Sequence, residues 1–360
     1  MKRMLILAAA LVVAAVAAFV FFTPGQSEGP QGAATETTEG AEASPEGAEE
    51  RVVVYAYDSF ASEWGPGPEI SRRFEEEYGI SVELKSIGDA GQVLQKAVLE
   101  KEDPEADILF GIDNNLITRA KKEGVLQPYS SPHLEKVPKD LIFDTEHFVT
   151  PYDYGYFSII YDSKKIENPP KSLEELTEPR FKDKLILMDP RTSSPGLGFL
   201  MWTIHEFGED FEEYWMQVQD STLTITEGWD SGYGLFTSGE APLVLSYTTS
   251  PAYHVEYEDT RRYRAALFDK GHYMQIEGVG IVKDAPHPEA AKKFIDFVLT
   301  EEFQEVIPLT NWMYPVLPEI ELPKSYEFAP QPEERFYFKA ETIDANRDEW
   351  IDTWSKAVTR

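Results

Sequence analysis

Residues 51–87 read RVVVYAYDSFASEWGPGPEISRRFEEEYGISVELKSI, and this stretch predicts the fold class of the chain. Residues 52–57 are rich in valine and tyrosine and predict a buried strand, residues 69–78 predict an amphipathic helix, and residues 80–87 predict a second strand. A strand, a helix and a strand in this order favour a parallel βαβ unit and hence an α/β protein. Because such sheets bind ligands beyond the carboxyl ends of their strands, we expect Tyr57 to lie near a ligand.

The same alternation of strands and helices continues along the chain in two sets. The first set reaches residue 110, and a second set over residues 154–246 predicts a second lobe. Helices predicted at 288–299 and 301–306 return to the first lobe. We therefore predict lobe 1 over residues 51–150 and about 262–316, lobe 2 over 151–261, and a C-terminal segment and helix packed on the lobes over 317–360.

The N-terminus carries a targeting pattern. Lys2 and Arg3 precede an apolar run over residues 4–22, which as a helix would span about 28 Å. Residues 1–22 therefore predict either a signal peptide or an uncleaved N-terminal membrane anchor. Residues 23–50 contain no aromatic and no basic side chain, so they predict a flexible acidic linker. Either reading places the remainder of the chain outside the cytoplasm.

The charge and the cysteine count exclude several classes of function. The net charge of −31 comes from 64 acidic against 33 basic side chains, and it argues against a nucleic-acid partner because phosphates would be repelled. A cationic ligand fits this charge better, although a solvated surface that promotes solubility is the simpler explanation for most of it. The chain has no cysteine, which excludes disulfides, thiolate metal sites and cysteine nucleophiles. The six histidines show no metal-binding spacing, so we predict neither a metal site nor a cofactor.

Aromatic side chains collect where turns are expected. Five stretches join tyrosine or tryptophan to glycine, proline, serine or threonine, a composition typical of ligand pockets, in which rings stack and loop groups fix orientation. These stretches are YAYDSFASEWGPGP (55–68), DPRTSSPGLG (189–198), TEGWDSGYGLF (226–236), SYTTSPAYH (246–254) and NWMYPV (311–316).

Together with FGIDNNL (110–116) and PYDYGYFSIIYD (151–162), these stretches resemble those of the periplasmic thiamine-binding proteins, the extracellular solute receptors of thiamine ABC transporters. The resemblance runs from about residue 52 to residue 360. It implies the two-lobed, type II periplasmic solute-binding fold with the ligand in the interlobe cleft. It also implies thiamine, thiamine monophosphate and thiamine pyrophosphate as ligands, an ABC transporter permease as partner, and a location on the outer side of the cytoplasmic membrane.

The resemblance also implies site residues that suit thiamine. An aminopyrimidine stacks on rings, and a cationic thiazolium prefers aromatic faces and a carboxylate. Five rings are expected around the ligand: Tyr57, Trp229, Tyr247, Tyr253 and Trp312. Further candidates are the carboxylates Asp113 and Asp153, Ser193 as a donor to a phosphate or to the hydroxyethyl oxygen, Gly91 at a helix start on the other lobe, and Trp64 as a lid ring or as packing for its turn.

Two other functions remain as alternatives. Ferric-ion receptors of related fold use paired tyrosines, which Tyr247 and Tyr253 could imitate, but the tryptophans favour an organic ring as ligand. Thiamine-degrading enzymes attack with a cysteine that this chain lacks, and Ser193 does not lie in a G-x-S-x-G turn.

The family pattern places an acidic residue directly before a glycine near residue 89, whereas this chain reads Gly88-Asp89-Ala90-Gly91. The phosphate end of the pocket is therefore the least defined.

Overall fold

The structure, a computed structural model, describes residues 50–359. The predicted signal or anchor segment, and the predicted linker apart from Glu50, lie outside the described residues. Within residues 50–359, no helix combines the length and the apolar character needed to cross a membrane.

The strands of the described residues are β1 (Arg51–Ala56), β2 (Ser81–Ser86), β3 (Ile108–Phe110), β4 (Leu126–Gln127), β5 (Thr150–Asp162), β6 (Leu185–Met188), β7 (Thr222–Thr226), β8 (Leu243–Tyr247), β9 (Tyr263–Ala266), β10 (His272–Val282), β11 (Tyr314–Pro315) and β12 (Arg335–Phe336). The α-helices are α1 (Asp58–Ala61), α2 (Gly67–Tyr78), α3 (Ala90–Leu99), α4 (Ile117–Glu123), α5 (Ser194–Phe207), α6 (Phe211–Val218), α7 (Trp229–Ser238), α8 (Ser250–Glu258), α9 (Pro288–Val298), α10 (Glu301–Gln304), α11 (Ile307–Thr310) and α12 (Ala340–Val358). Short 3-10 helices cover Leu134–Lys136, Lys139–Leu141, Glu174–Thr177, Pro179–Phe181, Gly208–Asp210 and Lys324–Phe328.

The main strands follow the order β2-β1-β3-β10-β5-β8-β6-β7. Strand β1 pairs in parallel with β2 and β3, as the opening βαβ stretch predicts, and β6 pairs in parallel with β7 and β8. We use lobe 1 for β2-β1-β3 with its helices, and lobe 2 for β8-β6-β7 with its helices. The predicted α/β class is confirmed.

Two long antiparallel strands join the lobes. Residues 150–156 of β5 pair with β10, whereas residues 157–161 pair with β8. Strand β10 in turn pairs with β3 of lobe 1. A register shift between Glu277 and Gly278 interrupts the β5–β10 ladder at the crossing. The connection between the lobes therefore runs through paired strands, beside a bulge.

Local sequence signals set the helix ends that matter for the site. Asp89 and Gln92 form a capping box at the start of α3, and Ser193 caps α5 by accepting from the Gly196 amide at 3.3 Å. Gly79 ends α2 in the left-handed region with φ of 69°. Helices α3 and α5 thus begin at the ends of β2 and β6, on the side where ligands bind in α/β sheets.

Four tryptophans at helical positions lie away from the cleft, and three of them are buried. Trp202, Trp215 and Trp354 are 1% exposed, and Trp350 is half-buried beside Phe338. Trp354 lies on α12, which packs against α6 of lobe 2 and α4 of lobe 1. The C-terminal helix therefore contacts both lobes.

Candidate functional site

A cleft of about 560 Å³ lies between the two lobes. Lobe 1 contributes the segment after β1 with Tyr57 and the turn before α3 with Asp89, and lobe 2 contributes α7 and the end of β8. The segment after α11 adds Asn311 and Trp312. The lining residues meet at the carboxyl ends of β1 and β8, as the position of Tyr57 predicts.

The predicted site residues divide into two groups. The cleft is lined by Tyr57, Trp64, Trp229, Tyr247, Tyr253 and Trp312. The others lie behind the lining and are buried: Gly91, Asp113, Asp153 and Ser193. The structure therefore brings the six predicted aromatic residues together, and a ligand role for all ten residues stays a prediction.

Trp229 forms one wall. Its ring stacks on Tyr233 with centroids 4.8 Å apart and planes at 16°, and its Nε1–H donates to Ser246 Oγ at 2.8 Å. The Tyr233 hydroxyl is 2.8 Å from Nε2 of His254, whose pKa is lowered by burial. Tyr233 supports Trp229, as its i+4 spacing suggests, and also lines the cleft. This wall is fixed without a ligand.

Trp312 forms a second wall. It adopts φ of 56°, a left-handed conformation that is costly for a bulky residue. Its ring meets Tyr253 edge-on at 5.5 Å and 83°, and it stacks on Tyr326 at 6.2 Å and 18°. The hydroxyl of Tyr326 donates to the main-chain oxygens of Pro308 and Met313, which flank this segment. Packing therefore holds Trp312 in a conformation that its backbone alone disfavours.

Trp64 differs from the other rings of the cleft. It lines the cleft but is 52% exposed. This exposure fits the lid interpretation better than that of a ring packed into its own turn.

Asp89 joins the lobes at one end of the cleft. Its Oδ1 accepts from the amides of Ala90 at 2.7 Å and Ser194 at 3.0 Å, and its Oδ2 accepts from the Trp229 amide at 2.9 Å. These amides are the first of α3, α5 and α7, so three helix N-termini converge on one carboxylate. Burial raises the pKa of Asp89, while these hydrogen bonds oppose the increase.

Two predicted residues support this junction from behind the lining. Burial raises the pKa of Asp89, and the Ser193 side chain is among the groups that counter this increase. Gly91 approaches the loop before α5 so closely that a Cβ would lie 2.4 Å from the Thr192 carbonyl oxygen. Glycine is therefore required where lobe 1 meets this loop.

Asp113 orders a polar network under the cleft. Its Oδ2 accepts from Gln275 Nε2 at 2.8 Å, and Gln275 Oε1 accepts from the Tyr247 hydroxyl at 2.6 Å. Its Oδ1 accepts from the amides of Asn115 and Leu116, both at 2.9 Å. Burial raises the pKa of Asp113 to about 6. Asp113 thus acts on the lining through Gln275, which orients Tyr247.

The floor of the cleft is acidic. Glu277 lines it and accepts from the hydroxyls of Tyr57 at 3.0 Å and Tyr152 at 3.1 Å. Asp153 lies beside Glu277 and accepts from Asn311 Nδ2 at 2.6 Å. Burial raises the pKa values of both carboxyl groups.

The lining as a whole favours a cation. Six of its described side chains are carboxylates, and none is lysine, arginine or histidine: Asp58, Asp89, Glu227, Asp230, Glu258 and Glu277. Over residues 50–359, no three histidine, aspartate or glutamate side chains are grouped so that they could hold a metal ion. Acidic and aromatic lining together suit an organic cation.

Sequence reasoning singled out neither Asp89, Glu277 nor Asn311 as a site residue. The D-x-x-Q spacing from Asp89 to Gln92 signals a helix cap but not a contact between lobes. Asn311 lies in the stretch NWMYPV (311–316), from which only Trp312 was predicted as a site residue. Glu277 is the one acid in strand β10, whose residues are all buried. An acidic residue in a strand that is otherwise expected to be buried was the signal that could have identified it as a site residue.

Comparison with known proteins agrees with this geometry. Residues 103–339 match the bacterial extracellular solute-binding protein family. The thiamine-binding periplasmic protein of Brucella melitensis biotype 1 is 42% identical over 315 residues, covering 87% of this chain and 93% of that protein. The solved structure of a periplasmic thiamin binding protein is 39% identical with a TM-score of 0.83, covering 88% of this chain and 99% of that chain.

A ferric binding protein from Campylobacter jejuni shares the fold with a TM-score of 0.70 at 22% identity, covering 85% of this chain and 99% of that chain. That level of identity supports the shared fold alone. The predicted two-lobed fold and the predicted family are confirmed: the chain belongs to the bacterial extracellular solute-binding proteins, within the family of the thiamine-binding periplasmic proteins.

Proposed function

We propose that this chain is an extracytoplasmic receptor that binds thiamine in the interlobe cleft and delivers it to an ABC transporter permease. One observation carries the proposal: the cleft combines fixed aromatic walls with an acidic floor and contains no basic side chain among its described lining residues. The names of the relatives point to the same ligand.

The lining matches thiamine group by group. Trp229, Tyr247, Tyr253 and Trp312 offer ring faces and edges for the aminopyrimidine and the thiazolium. Each well-placed ring contributes about 0.5–2 kcal/mol to binding of a cation. Asn311 and Glu277 supply the polar atoms that an aminopyrimidine needs for hydrogen bonding.

We extend the proposal to thiamine monophosphate and thiamine pyrophosphate. Helix N-termini bind phosphate, and the amides of Ser194 and Trp229 begin α5 and α7 at the cleft. Both amides donate to Asp89 in this structure, so a phosphate has to replace that carboxylate. Ser193 would then turn its hydroxyl from Asp89 to the phosphate.

We further propose that residues 1–22 either direct export of the chain or anchor it in the membrane. We also propose that the chain binds and releases thiamine without changing it chemically. The chain contains no cysteine to displace the thiazole. The linker 23–50 would then hold the lobes near the permease. Thiamine recovered after long incubation should be unchanged. Free thiazole released in proportion to protein concentration would contradict the receptor proposal.

Isothermal titration of the purified full chain tests the ligand. Thiamine should bind one to one and change tryptophan fluorescence, because Trp229 and Trp312 line the cleft. Ferric ion is the matched comparison, since a ferric receptor shares the fold. Saturation by ferric ion with no response to thiamine would replace the proposal with the iron alternative.

A further inference from the structure

Two carboxyl groups face each other at the floor of the cleft. Asp153 of β5 and Glu277 of β10 are direct partners across the antiparallel ladder, beside the bulge that follows Glu277. Burial raises the pKa of Asp153, and the negative charge of Glu277 raises it further. Asp153 is 0% exposed and Glu277 is 5% exposed, while Glu277 still lines the cleft.

The hydrogen bonds of this pair leave one acceptor without a donor. Glu277 Oε2 accepts from the hydroxyls of Tyr57 and Tyr152, and Asp153 Oδ2 accepts from Asn311. Asp153 Oδ1 is buried and meets no donor among the residues that the structure describes. Burying such an oxygen is costly, and two adjacent carboxylates resist ionising together. One proton between the two groups removes both costs.

We propose that Asp153 and Glu277 share one proton in the empty cleft and release it to solvent when a cationic ligand binds. The released proton is replaced by the fixed charge of the ligand, so the net charge of the floor stays the same. The pair thereby selects a permanent cation over an uncharged ring of similar shape. The inference rests on the proposed function and names the groups that recognise the charge of thiamine.

The groups that face the pair do not supply a competing cation. From β1 and β5 come the phenols of Tyr57 and Tyr152, whose pKa values are raised by burial. Asp113 acts on Glu277 as a third acid, and the phenols of Tyr247 and Tyr326 are also coupled to the pair. Each of these groups is neutral or negative at neutral pH. Burial and the charge of Asp113 favour retention of the proton by the pair, whereas the hydroxyls of Tyr57 and Tyr152, which donate to Glu277, favour its ionised form.

The sign of the pH effect follows from this arrangement. Below the raised pKa of the pair, binding has to displace a proton, so thiamine binds more tightly as the pH rises. The affinity should increase by up to about tenfold per pH unit for one proton released. Above that pKa the pair is already ionised, and the affinity should become independent of pH.

Calorimetry of the full chain with thiamine tests the proposal. Titrations at one pH in buffers with different ionisation enthalpies give the number of protons released, and we expect about one below the raised pKa. The uncharged aminopyrimidine half of thiamine should release none. Asp153→Asn should bind thiamine with a changed affinity and release no proton, because the amide supplies the missing donor to the pair. Asp344→Asn, an exposed change on α12, should behave as the unchanged chain does.

The outcomes separate this inference from the receptor proposal. Thiamine binding with the same proton release in Asp153→Asn as in the unchanged chain would overturn the inference and leave the receptor intact. An absence of thiamine binding to the unchanged chain would overturn the receptor proposal itself. If Asp153→Asn fails to fold, infrared spectra of the unchanged chain test whether the pair holds a proton and releases it on binding. The C=O band of a protonated carboxylic acid should disappear on adding thiamine, and its persistence would overturn the inference.

Discussion

Trp229 shows at the level of one residue how the cleft is prepared for a ligand. One ring face stacks on Tyr233, and the indole N–H is bonded to Ser246. A ring held in this way loses little conformational freedom on binding, so more of its interaction energy contributes to affinity. The face opposite Tyr233 is the one that a thiazolium or an aminopyrimidine can cover.

Two substitutions of Trp229 should separate the contribution that its ring face makes to thiamine binding from the contribution of its hydrogen bond to Ser246. Trp229→Ala should weaken thiamine binding by roughly 2- to 30-fold, the range expected for one cation–π contact. Trp229→Phe keeps a ring and loses only the bond to Ser246, so its loss should be smaller. Titration calorimetry of the two variants side by side measures the difference. Equal losses would show that the hydrogen bond, and not the ring face, controls binding.

His272 is a buried residue that makes stability depend on pH. Its Nε2 accepts from the Phe268 amide at 2.9 Å, and its Nδ1 donates to the Phe157 carbonyl at 2.7 Å. The folded protein therefore requires the neutral imidazole, and burial lowers the pKa of His272 to about 4. As the pH falls below about 6.5, the unfolded chain takes up a proton that the folded chain refuses.

We expect this residue to remove stability between about pH 6.5 and pH 4, by roughly 3 kcal/mol in total. His272→Gln keeps one donor and one acceptor but cannot titrate, so its loss of stability over this interval should be smaller. Urea unfolding at pH 7.5 and pH 4.5 measures the difference. His133→Gln, at a half-buried site, serves as the control. A pH dependence in His272→Gln as steep as in the unchanged chain would refute the assignment.

The aromatic lining could be predicted at this scale, but the acidic floor only in part, since Asp153 was predicted and Glu277 was not. Trp229 and Trp312 lie in short stretches whose glycine, proline and serine neighbours signal a pocket locally. Glu277 meets Tyr57 across 220 residues of sequence, and only the tertiary fold brings them together. A sequence read locally therefore identifies the walls and misses Glu277, the acid of the floor that lines the cleft.

At the level of elements, the N-termini of α3, α5 and α7 point at Asp89 from two lobes. Each helix end carries a partial positive charge, so the carboxylate stabilises the approach of the lobes. The same carboxylate occupies the position that suits a phosphate. Lobe contact and the proposed binding of a phosphate would therefore depend on one group.

Asp89→Asn should shift ligand preference toward the phosphate ester. Removing a negative charge next to the phosphate should raise the ratio of monophosphate to thiamine affinity by roughly tenfold. Both affinities can fall in absolute terms, because the amide is a poorer partner for three N–H groups. Asp230→Asn, a second lining acid, is the matched control and should change the ratio less. A ratio that stays constant in Asp89→Asn would place the phosphate elsewhere.

The elements with strong periodicity were predicted best. The sequence places α6 and β7 at the residues observed, because apolar residues recur there at helix and strand spacing. The elements that the sequence predicts for lobe 2 include a helix at 172–176, and the structure has a short 3-10 helix there instead, Glu174–Thr177. Helix α8 was missed, since its buried residues are small or polar and form no apolar stripe: Ser250, Pro251, Ala252 and His254.

At the level of the whole molecule, α12 contacts α6 of lobe 2 and α4 of lobe 1. Trp354 meets Trp215 of α6 edge-on at 5.9 Å, and the Arg191 guanidinium lies 5.3 Å from the Trp354 ring. The sequence predicts this helix over residues 340–358, packed on the lobes, and the tertiary structure adds which helix of each lobe it contacts.

Trp354→Ala should therefore be costly. Removing a tryptophan that is 1% exposed leaves a cavity, and we expect a loss of about 3–5 kcal/mol in the free energy of unfolding. Trp350→Ala, at a half-buried site one turn earlier, should cost less. Denaturant unfolding of both variants measures the costs. A smaller loss for Trp354→Ala than for Trp350→Ala would mean that the C-terminal helix adds little to the fold.

The crossing of β5 and β10 between the lobes should affect the rates at which thiamine binds and leaves. Asp153 and Glu277 lie where β5 and β10 pass between the lobes, and points near a pivot move least when the parts it joins rotate. We therefore expect thiamine to reach the floor before the lobes close, and the lobe 2 wall with Trp229 to close over it in a second, unimolecular step. The rate of the first contact then depends on the thiamine concentration, whereas the rate of lobe closure does not. Escape waits for reopening, so changes to the lobe 2 wall should alter residence time far more than they alter the speed of arrival.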